Sequence, residues 1–113
     1  MNGKEYIVGA IELTEKLVAD MKKSGLLDGD PLLEQTSSAC DVLGSFKNKA
    51  TLRTKAGTNM AFPVYDAAQK LEEAWEDAQE SDDTDELKEQ MDEFVNSVKT
   101  LGATLKERTV LMT

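Results

Sequence analysis

Apolar residues recur in steps of four and three between residues 84 and 108, which is the spacing of one face of an α-helix. These residues are Leu87, Met91, Phe94, Val98, Leu101 and Leu105. On a helix this spacing places all six side chains on one narrow stripe, which must be buried against other helices if the segment is to be stable in water. The pattern therefore predicts a long helix over 84–108 that packs against the rest of the chain.

The same rhythm occurs in three earlier segments and predicts helices over 4–24, 31–47 and 62–80. Asp30 followed by Pro31 is typical of a helix start, and Gly25 is typical of a helix end. Pro63 sets the start of the third helix near residue 62, because proline is tolerated in a first turn but not inside a helix. Residues 48–58 remain as a connecting loop, in which Gly57 favours irregular backbone.

Four amphipathic segments without an alternating strand pattern predict an all-α fold, a four-helix up-down bundle of two helical hairpins joined by that loop. A second arrangement stays open, in which the hairpins exchange between protomers and give a swapped or intertwined dimer. A chain of 113 residues with no linker-like stretch favours a single helical domain over 1–113.

The chain is acidic, with a net charge of −9 and a pI of about 4.4. This charge argues against direct nucleic-acid binding through phosphate neutralisation, and it opposes adsorption to an anionic membrane. Residues 1–8 do not resemble a signal peptide, and no segment has the length of a membrane span. The single cysteine, Cys40, suits a reducing compartment. We therefore expect a cytoplasmic protein with no nucleic-acid or membrane partner.

Histidine does not occur in the sequence. This excludes Ser–His and Cys–His nucleophile pairs, and also the Glu-x-x-His ligands of di-iron bundles. Cys40 lies next to the apolar stripe of the second helix, so we expect a small core residue rather than a nucleophile. The sequence thus predicts no catalytic residue and no cofactor.

Two acidic motifs lie on the helices predicted over 62–80 and 84–108. They read Glu72-Glu73-Ala74-Trp75-Glu76 and Lys88-Glu89-Gln90-Met91-Asp92. This pair resembles the Glu-Glu-x-x-Glu and Lys-Glu-x-x-Asp motifs of the all-α nucleotide pyrophosphohydrolases, the MazG-like family. The resemblance covers residues 72–92 and implies an alternative function, magnesium-dependent cleavage of a nucleoside triphosphate to its monophosphate. The implied magnesium ligands are Glu73, Glu76, Glu89 and Asp92.

Residues 66–93 contain 13 acidic residues against two lysines. Such a density of negative charge competes for basic grooves, so a second alternative is an acidic nucleic-acid mimic that blocks a DNA- or RNA-binding protein. This alternative predicts a continuous acidic face. The face consists of Glu72, Asp77, Asp82, Asp83, Asp85 and Glu89.

The loop 48–58 is basic, and its Lys49, Arg53 and Lys55 are expected to face the acidic hairpin, either in their own molecule or in a second copy. Trp75, Phe62 and Leu111 are apolar candidates for contact with a partner, and Trp75 is the strongest because one large aromatic at a rim carries much of a contact. We therefore interpret the chain as a non-catalytic protein–protein interaction module. It would be a small acidic bacterial or phage adaptor, regulator or inhibitor that forms homo-oligomers and binds a protein partner.

Overall fold

The computed structural model describes the backbone of residues 1–112 and the side chains of residues 1–106. Its helices are α1 (Gly3–Ser24), α2 (Pro31–Phe46), α3 (Lys55–Ser81) and α4 (Asp85–Met112). A short 3₁₀ helix, Ala50–Arg53, lies between α2 and α3. There is no strand in this described part, so the all-α prediction is confirmed. Over the same residues, no helix combines the length and the apolar character needed to cross a membrane.

Local hydrogen bonds fix the ends of the first hairpin. The Asn2 side chain accepts from the Glu5 N–H at 2.9 Å, and the Glu5 carboxylate accepts from the Asn2 N–H at 3.1 Å, which is a capping box that starts α1. Gly25 ends α1 at a φ of +72°, a conformation that side chains disfavour. Asp30 starts α2 by accepting from the Leu32 N–H at 2.9 Å, as the sequence predicts.

The four helices form a bundle in which α1 and α4 each pack against both α2 and α3. The 3₁₀ helix and the start of α3 lie beside the start of α1, because Gly3 approaches Leu52 and Gly57 closely. Since α1 and α3 begin at the same end, they run parallel, and the chain alternates in direction from α1 to α4. The up-down bundle is therefore confirmed, with the α2–α3 connection crossing one end of it.

The core consists of the apolar stripes predicted from the sequence. All six residues that define the stripe on α4 are buried. The largest fully buried side chains elsewhere are Ile7, Met21, Leu43, Leu52, Leu71 and Val64. Aliphatic side chains therefore provide most of the packing. Burial of the apolar stripe of α4 is the main contribution that holds this helix in place.

The start of α3 differs from the sequence prediction, because residues 48–58 are not a loop. The 3₁₀ helix takes up Ala50–Arg53 and α3 begins at Lys55, seven residues before the predicted start. Thr54 caps α3 by accepting from the Gly57 N–H at 3.0 Å. Gly57 is buried, and a Cβ there would overlap the backbone of Thr51 and Leu52. Gly57 is thus a packing glycine inside a helix, whereas the sequence rule treats it as a loop signal.

Pro63 lies inside α3 rather than in its first turn. Ala61 and Val64 are buried on either side of it, so contacts with the rest of the bundle hold the backbone in a helix that the local rule disfavours. At the other end of the chain, α4 continues to Met112 instead of ending near 108. The side chain of Leu111, a predicted contact residue, lies outside the described residues.

Candidate functional site

An open groove runs along the surface between α2 and α4. At one end of the bundle, Lys88 in the first turn of α4 pairs with Asp30 before α2 at 3.2 Å. Towards the other end, Phe46 at the end of α2 lies against Gly102 of α4. These two contacts show that α2 and α4 run parallel to each other, and they set the register of the groove's two walls.

The groove has a volume of about 570 Å³ and is mainly apolar. Buried Ala39, Val95 and Val98 form its floor. Val42, which is 43% exposed, and the half-buried Phe46 stand on its α2 side. An aliphatic side chain left this exposed beside an apolar floor can gain by burial against another surface.

Small residues explain why this part of the bundle surface is concave. Ser38 and Ala39 line the α2 side, and Gly102 and Ala103 line the α4 side. A Cβ at Gly102 would lie 3.1 Å from Cζ of Phe46, so the ring occupies the space that a side chain there would need. The short side chains at these four positions therefore leave the groove open.

The sequence prediction missed this groove, although one signal for it was present. Ala39, Leu43 and Phe46 follow the spacing of four and three on the predicted helix 31–47, and Val42 lies beside Leu43 outside that spacing. Two adjacent apolar residues on a helix point in different directions, since successive side chains are separated by about 100°. Val42 therefore marks a second apolar face on α2.

A second exposed apolar surface consists of three aromatic residues on α1 and α3. Tyr6 lies with its ring centroid 5.5 Å from that of Phe62 and 5.3 Å from that of Tyr65. Phe62 is 48% exposed, as a contact residue would require. The sequence prediction identified Phe62 but not the two tyrosines, since nothing in the spacing of α1 and α3 indicated that the two helices are parallel neighbours.

Trp75 does not lie at a rim. It is only 3% exposed and belongs to the buried core of the bundle. The prediction that it provides an exposed anchor for a partner is therefore wrong for this structure. Ala74 and Trp75 are both buried although successive side chains on a helix point about 100° apart, so the core-facing side of α3 is broad.

Lys49, Arg53 and Lys55 are exposed at the end of the bundle where α1 and α3 begin. None of them forms an ion pair with another described residue. The acidic turn after α3 lies at the opposite end of a 27-residue helix, about 40 Å away. The basic segment therefore does not face the turn of the acidic hairpin within one molecule, and its contact with a second copy stays a prediction.

The four carboxylates implied by the pyrophosphohydrolase resemblance, Glu73, Glu76, Glu89 and Asp92, are all exposed. Within the described residues, no three or more acidic or cysteine side chains are placed to hold a metal ion. The convergence that a magnesium site requires is thus not seen among these four residues, because each points away from the core that α3 and α4 share.

The six acids of the predicted mimic surface do not share one face. Glu72 and Asp77 are five residues apart on the continuous helix α3, which separates them by about 140° around its axis. Glu72 is half-buried, whereas Asp77 is exposed. The negative charge is therefore spread around the hairpin rather than arranged as a single acidic face.

Cys40 is buried between α1 and α2, as the sequence predicts for a small core residue. Its Sγ–H donates to the Ile11 carbonyl at 3.6 Å. Burial raises the pKa of the thiol to about 11, and the nearby carboxylates of Glu15 and Asp41 act in the same direction. A thiol in these surroundings is a poor nucleophile near neutral pH.

Comparisons with protein-family models, with curated proteins and with solved structures gave no match. The function of the chain is therefore inferred from its own geometry.

Proposed function

We propose that this chain is a non-catalytic protein-binding module and that the α2–α4 groove is its binding surface. The observation that carries the proposal is the exposed Val42 beside the apolar floor of that groove. Met1, Val42 and Phe62 are the large apolar side chains exposed among the described residues, and most of the others are buried. Val42 is therefore an exception that requires an explanation.

A helix is the element that fits such a groove. The lining on α2 extends from Glu34 to Phe46, which corresponds to about 18 Å, or three turns of helix. An amphipathic helix laid between two others buries one apolar stripe and leaves its polar face in solvent. Glu34 and Lys99 at the edges of the groove provide charges that orient the bound helix.

Site-specific photo-crosslinking tests this proposal. A photoreactive amino acid is placed at position 42 in the groove, and in a control protein at position 12, which is exposed on α1. Each protein is irradiated alone and in an extract of the source cells. We expect protein adducts from position 42 that disappear when excess unmodified protein is added but persist when excess Val42→Asp protein is added.

Competition separates specific binding from random labelling. Adducts of equal yield at positions 42 and 12, or adducts insensitive to the unmodified competitor, would contradict the proposal. The absence of any adduct at position 42 under both conditions would contradict it as well, because a docked helix must lie within reach of that side chain.

A further inference from the structure

The exposed charges along the α4 side of the groove change sign from one end to the other. Val95, Lys99 and Gly102 line the groove, and Asp92 and Lys106 continue the same stripe in steps of three and four. Asp92, Lys99 and Lys106 are exposed, and none of them forms an ion pair with another described residue. The α4 side of the groove is therefore acidic at one end and basic at the other.

The α2 side carries an acid at the end where α4 is acidic. Glu34 lines the groove from the first turn of α2. Its ion pair with Lys22, at 3.7 Å, is long and solvent-exposed and so contributes little. The next acid on α2, Asp41, borders the pocket between α1 and α2 instead of the groove. Glu34 is therefore the acid that α2 presents to a molecule bound in the groove.

Glu34 and Asp92 lie at the same level on opposite sides of the groove. Each lies four residues, about 6 Å along its helix, after one member of the ion pair between Asp30 and Lys88. Because α2 and α4 run parallel, equal distances along them lead to the same level. Lys99 lies seven residues after Asp92, about 10 Å further along the groove. The two acids thus flank one level and the lysine marks another, two helical turns away.

We infer that the groove binds an amphipathic helix that runs antiparallel to α2 and α4 and carries an acidic residue seven positions before a basic one. This inference rests on the proposed function and names the chemistry of the partner of that site. The acidic residue of the bound helix lies beside Lys99, and its basic residue lies between Glu34 and Asp92. Since seven residues are about two turns, both charges lie on the same face of the bound helix.

The antiparallel direction follows from the helix dipoles. Both α2 and α4 begin at the acidic end of the groove, so the positive ends of both dipoles lie there. An antiparallel helix opposes both dipoles, whereas a parallel helix would align with both. Helices also favour acids in their first turn and bases in their last turn. A helix of this usual kind matches the charges of the groove only when it runs antiparallel.

The apolar floor of the groove lies between the two charged levels. Val95 lies three residues after Asp92, and Ala39 lies five residues after Glu34. Both are buried. Apolar side chains at the third and fourth positions after the partner's acidic residue therefore lie over this floor. The predicted partner sequence consists of an acid, two adjacent apolar residues after two intervening positions, and a base after two more.

Two synthetic peptides of identical composition test this inference. Each has about fifteen residues, which is long enough to span the groove as a helix. The first carries a glutamate seven positions before a lysine, with leucines at the third and fourth positions after the glutamate. In the second, the glutamate and the lysine are exchanged. A nitroxide spin label on the N-terminus of each peptide broadens nearby resonances in ¹H–¹⁵N NMR of the protein and so locates that end.

The two peptides should bind in opposite directions. The first should broaden the resonances of residues 99–106, because its acidic end lies beside Lys99. The second matches the charges only when it runs parallel, so its label should broaden residues 30–35 instead. Its dissociation constant should be about fivefold higher, since its dipole then aligns with those of α2 and α4.

A charge exchange in the protein provides the reciprocal test. Asp92→Lys combined with Lys99→Glu keeps the net charge and should make the protein bind the second peptide at least as tightly as the first. The control exchange, Glu12→Lys with Lys16→Glu, lies at exposed positions on α1 and should leave both dissociation constants unchanged.

Two substitutions of apolar residues confirm where the peptides bind. Val42→Asp should abolish binding of both peptides, whereas Phe62→Asp, at a similarly exposed residue outside the groove, should not. Circular dichroism and a thermal melt show whether each variant is folded. Binding that is lost with Phe62→Asp but retained with Val42→Asp would place the peptides on α1 and α3 and overturn the inference.

The outcomes distinguish this inference from the proposed function. Labels that lie at the same end for both peptides, or a charge exchange without effect, would overturn the inference. If neither peptide binds but photo-crosslinking at position 42 captures a protein with the competition described above, the inference fails and the groove remains a binding surface. The crosslinked segment of a captured protein provides a further check, because a segment without an acid seven positions before a base would also overturn the inference.

Discussion

Phe46 at the end of α2 lies against Gly102 of α4, so closely that a methyl group on residue 102 would come within 3.1 Å of the ring. The ring fills the space that a side chain at residue 102 would occupy. The two residues thereby close the groove at the end where α2 ends. The ring is half-buried, and it both contacts Gly102 of α4 and lines the groove. This pair links the packing of the bundle to the shape of its candidate binding surface.

Making residue 46 small and residue 102 large tests this complementarity. Phe46→Ala removes part of the α2–α4 contact and is expected to cost about 2 kcal/mol, less than truncation of a fully buried phenylalanine. Gly102→Leu displaces the ring and is expected to cost about 1–3 kcal/mol. In the double variant the leucine occupies the space left by the ring. Its loss of unfolding free energy should therefore be smaller than the sum of the losses in the two single variants. Urea unfolding of all four proteins measures the coupling, and strict additivity would contradict it.

Two glycines in helices are expected to respond in opposite ways to alanine. Gly57→Ala forces a Cβ into the backbone of the 3₁₀ helix, so the start of α3 must move, at a cost of about 2 kcal/mol or more. Gly44→Ala meets nothing within 4 Å and gains about 0.5–1 kcal/mol of helix propensity. Thermal unfolding of both variants checks the pair. A harmless Gly57→Ala would contradict the packed position of the α2–α3 connection.

Cys40 is expected to be inert in the folded protein. Its pKa of about 11 leaves almost no thiolate at pH 8, and its burial blocks access. A disulfide reagent such as Ellman's should therefore label it only after denaturant is added. A variant with Cys40→Ala and Ser45→Cys moves the thiol to an exposed position on the same helix and should react at once without denaturant. Rapid labelling of native Cys40 would show that α1 and α2 separate readily.

Asp30 is expected to contribute a pH-dependent part of the stability. The hydrogen bond from the Leu32 N–H lowers the pKa of this carboxyl from its ordinary value of 3.8, burial opposes that effect, and Lys88 lowers the pKa further. A lowered pKa in the folded state stabilises the protein above pH 3.8, and this stabilisation is lost as the pH falls through the folded-state pKa.

Asp30→Asn isolates the charge, because asparagine also caps helices well. At pH 7 the variant should be less stable than the native protein by less than about 1 kcal/mol, since the ion pair with Lys88 is partly exposed. The difference should shrink towards zero as the pH is lowered below 3.8. Denaturant unfolding at several pH values measures it, and a difference that grows in acid would contradict the assigned direction.

The sequence predicts most of the fold because its signals are periodic or local. The stripe on α4 and the cap formed by Asp30 and Pro31 need only neighbouring residues to be recognised, and both occur in the structure. The start of α3 could not be predicted in this way. Gly57 and Pro63 both disfavour a helix locally, and α3 includes them because it packs against α1, which is distant in sequence, and against the 3₁₀ helix.

The candidate site is harder to predict, since it depends on which helices are neighbours. Val42 and Gly102 are far apart in the sequence and meet in one groove only because α2 packs beside α4. Trp75 shows the opposite error, because a residue at the edge of a predicted stripe is buried once the faces of α3 are assigned. The spacing of apolar residues thus identifies a helix reliably. It identifies less well which faces of that helix are buried.

The most direct test of the account is two-dimensional ¹H–¹⁵N NMR of the protein titrated with the partner that photo-crosslinking at position 42 captures. If the α2–α4 groove is the binding surface, the resonances that shift during the titration should cluster at residues 34–46 and 95–103. Tyr6, Phe62 and Tyr65 should not shift, since they lie on the α1–α3 surface. Shifts confined to those aromatic residues, with the groove unchanged, would contradict the account.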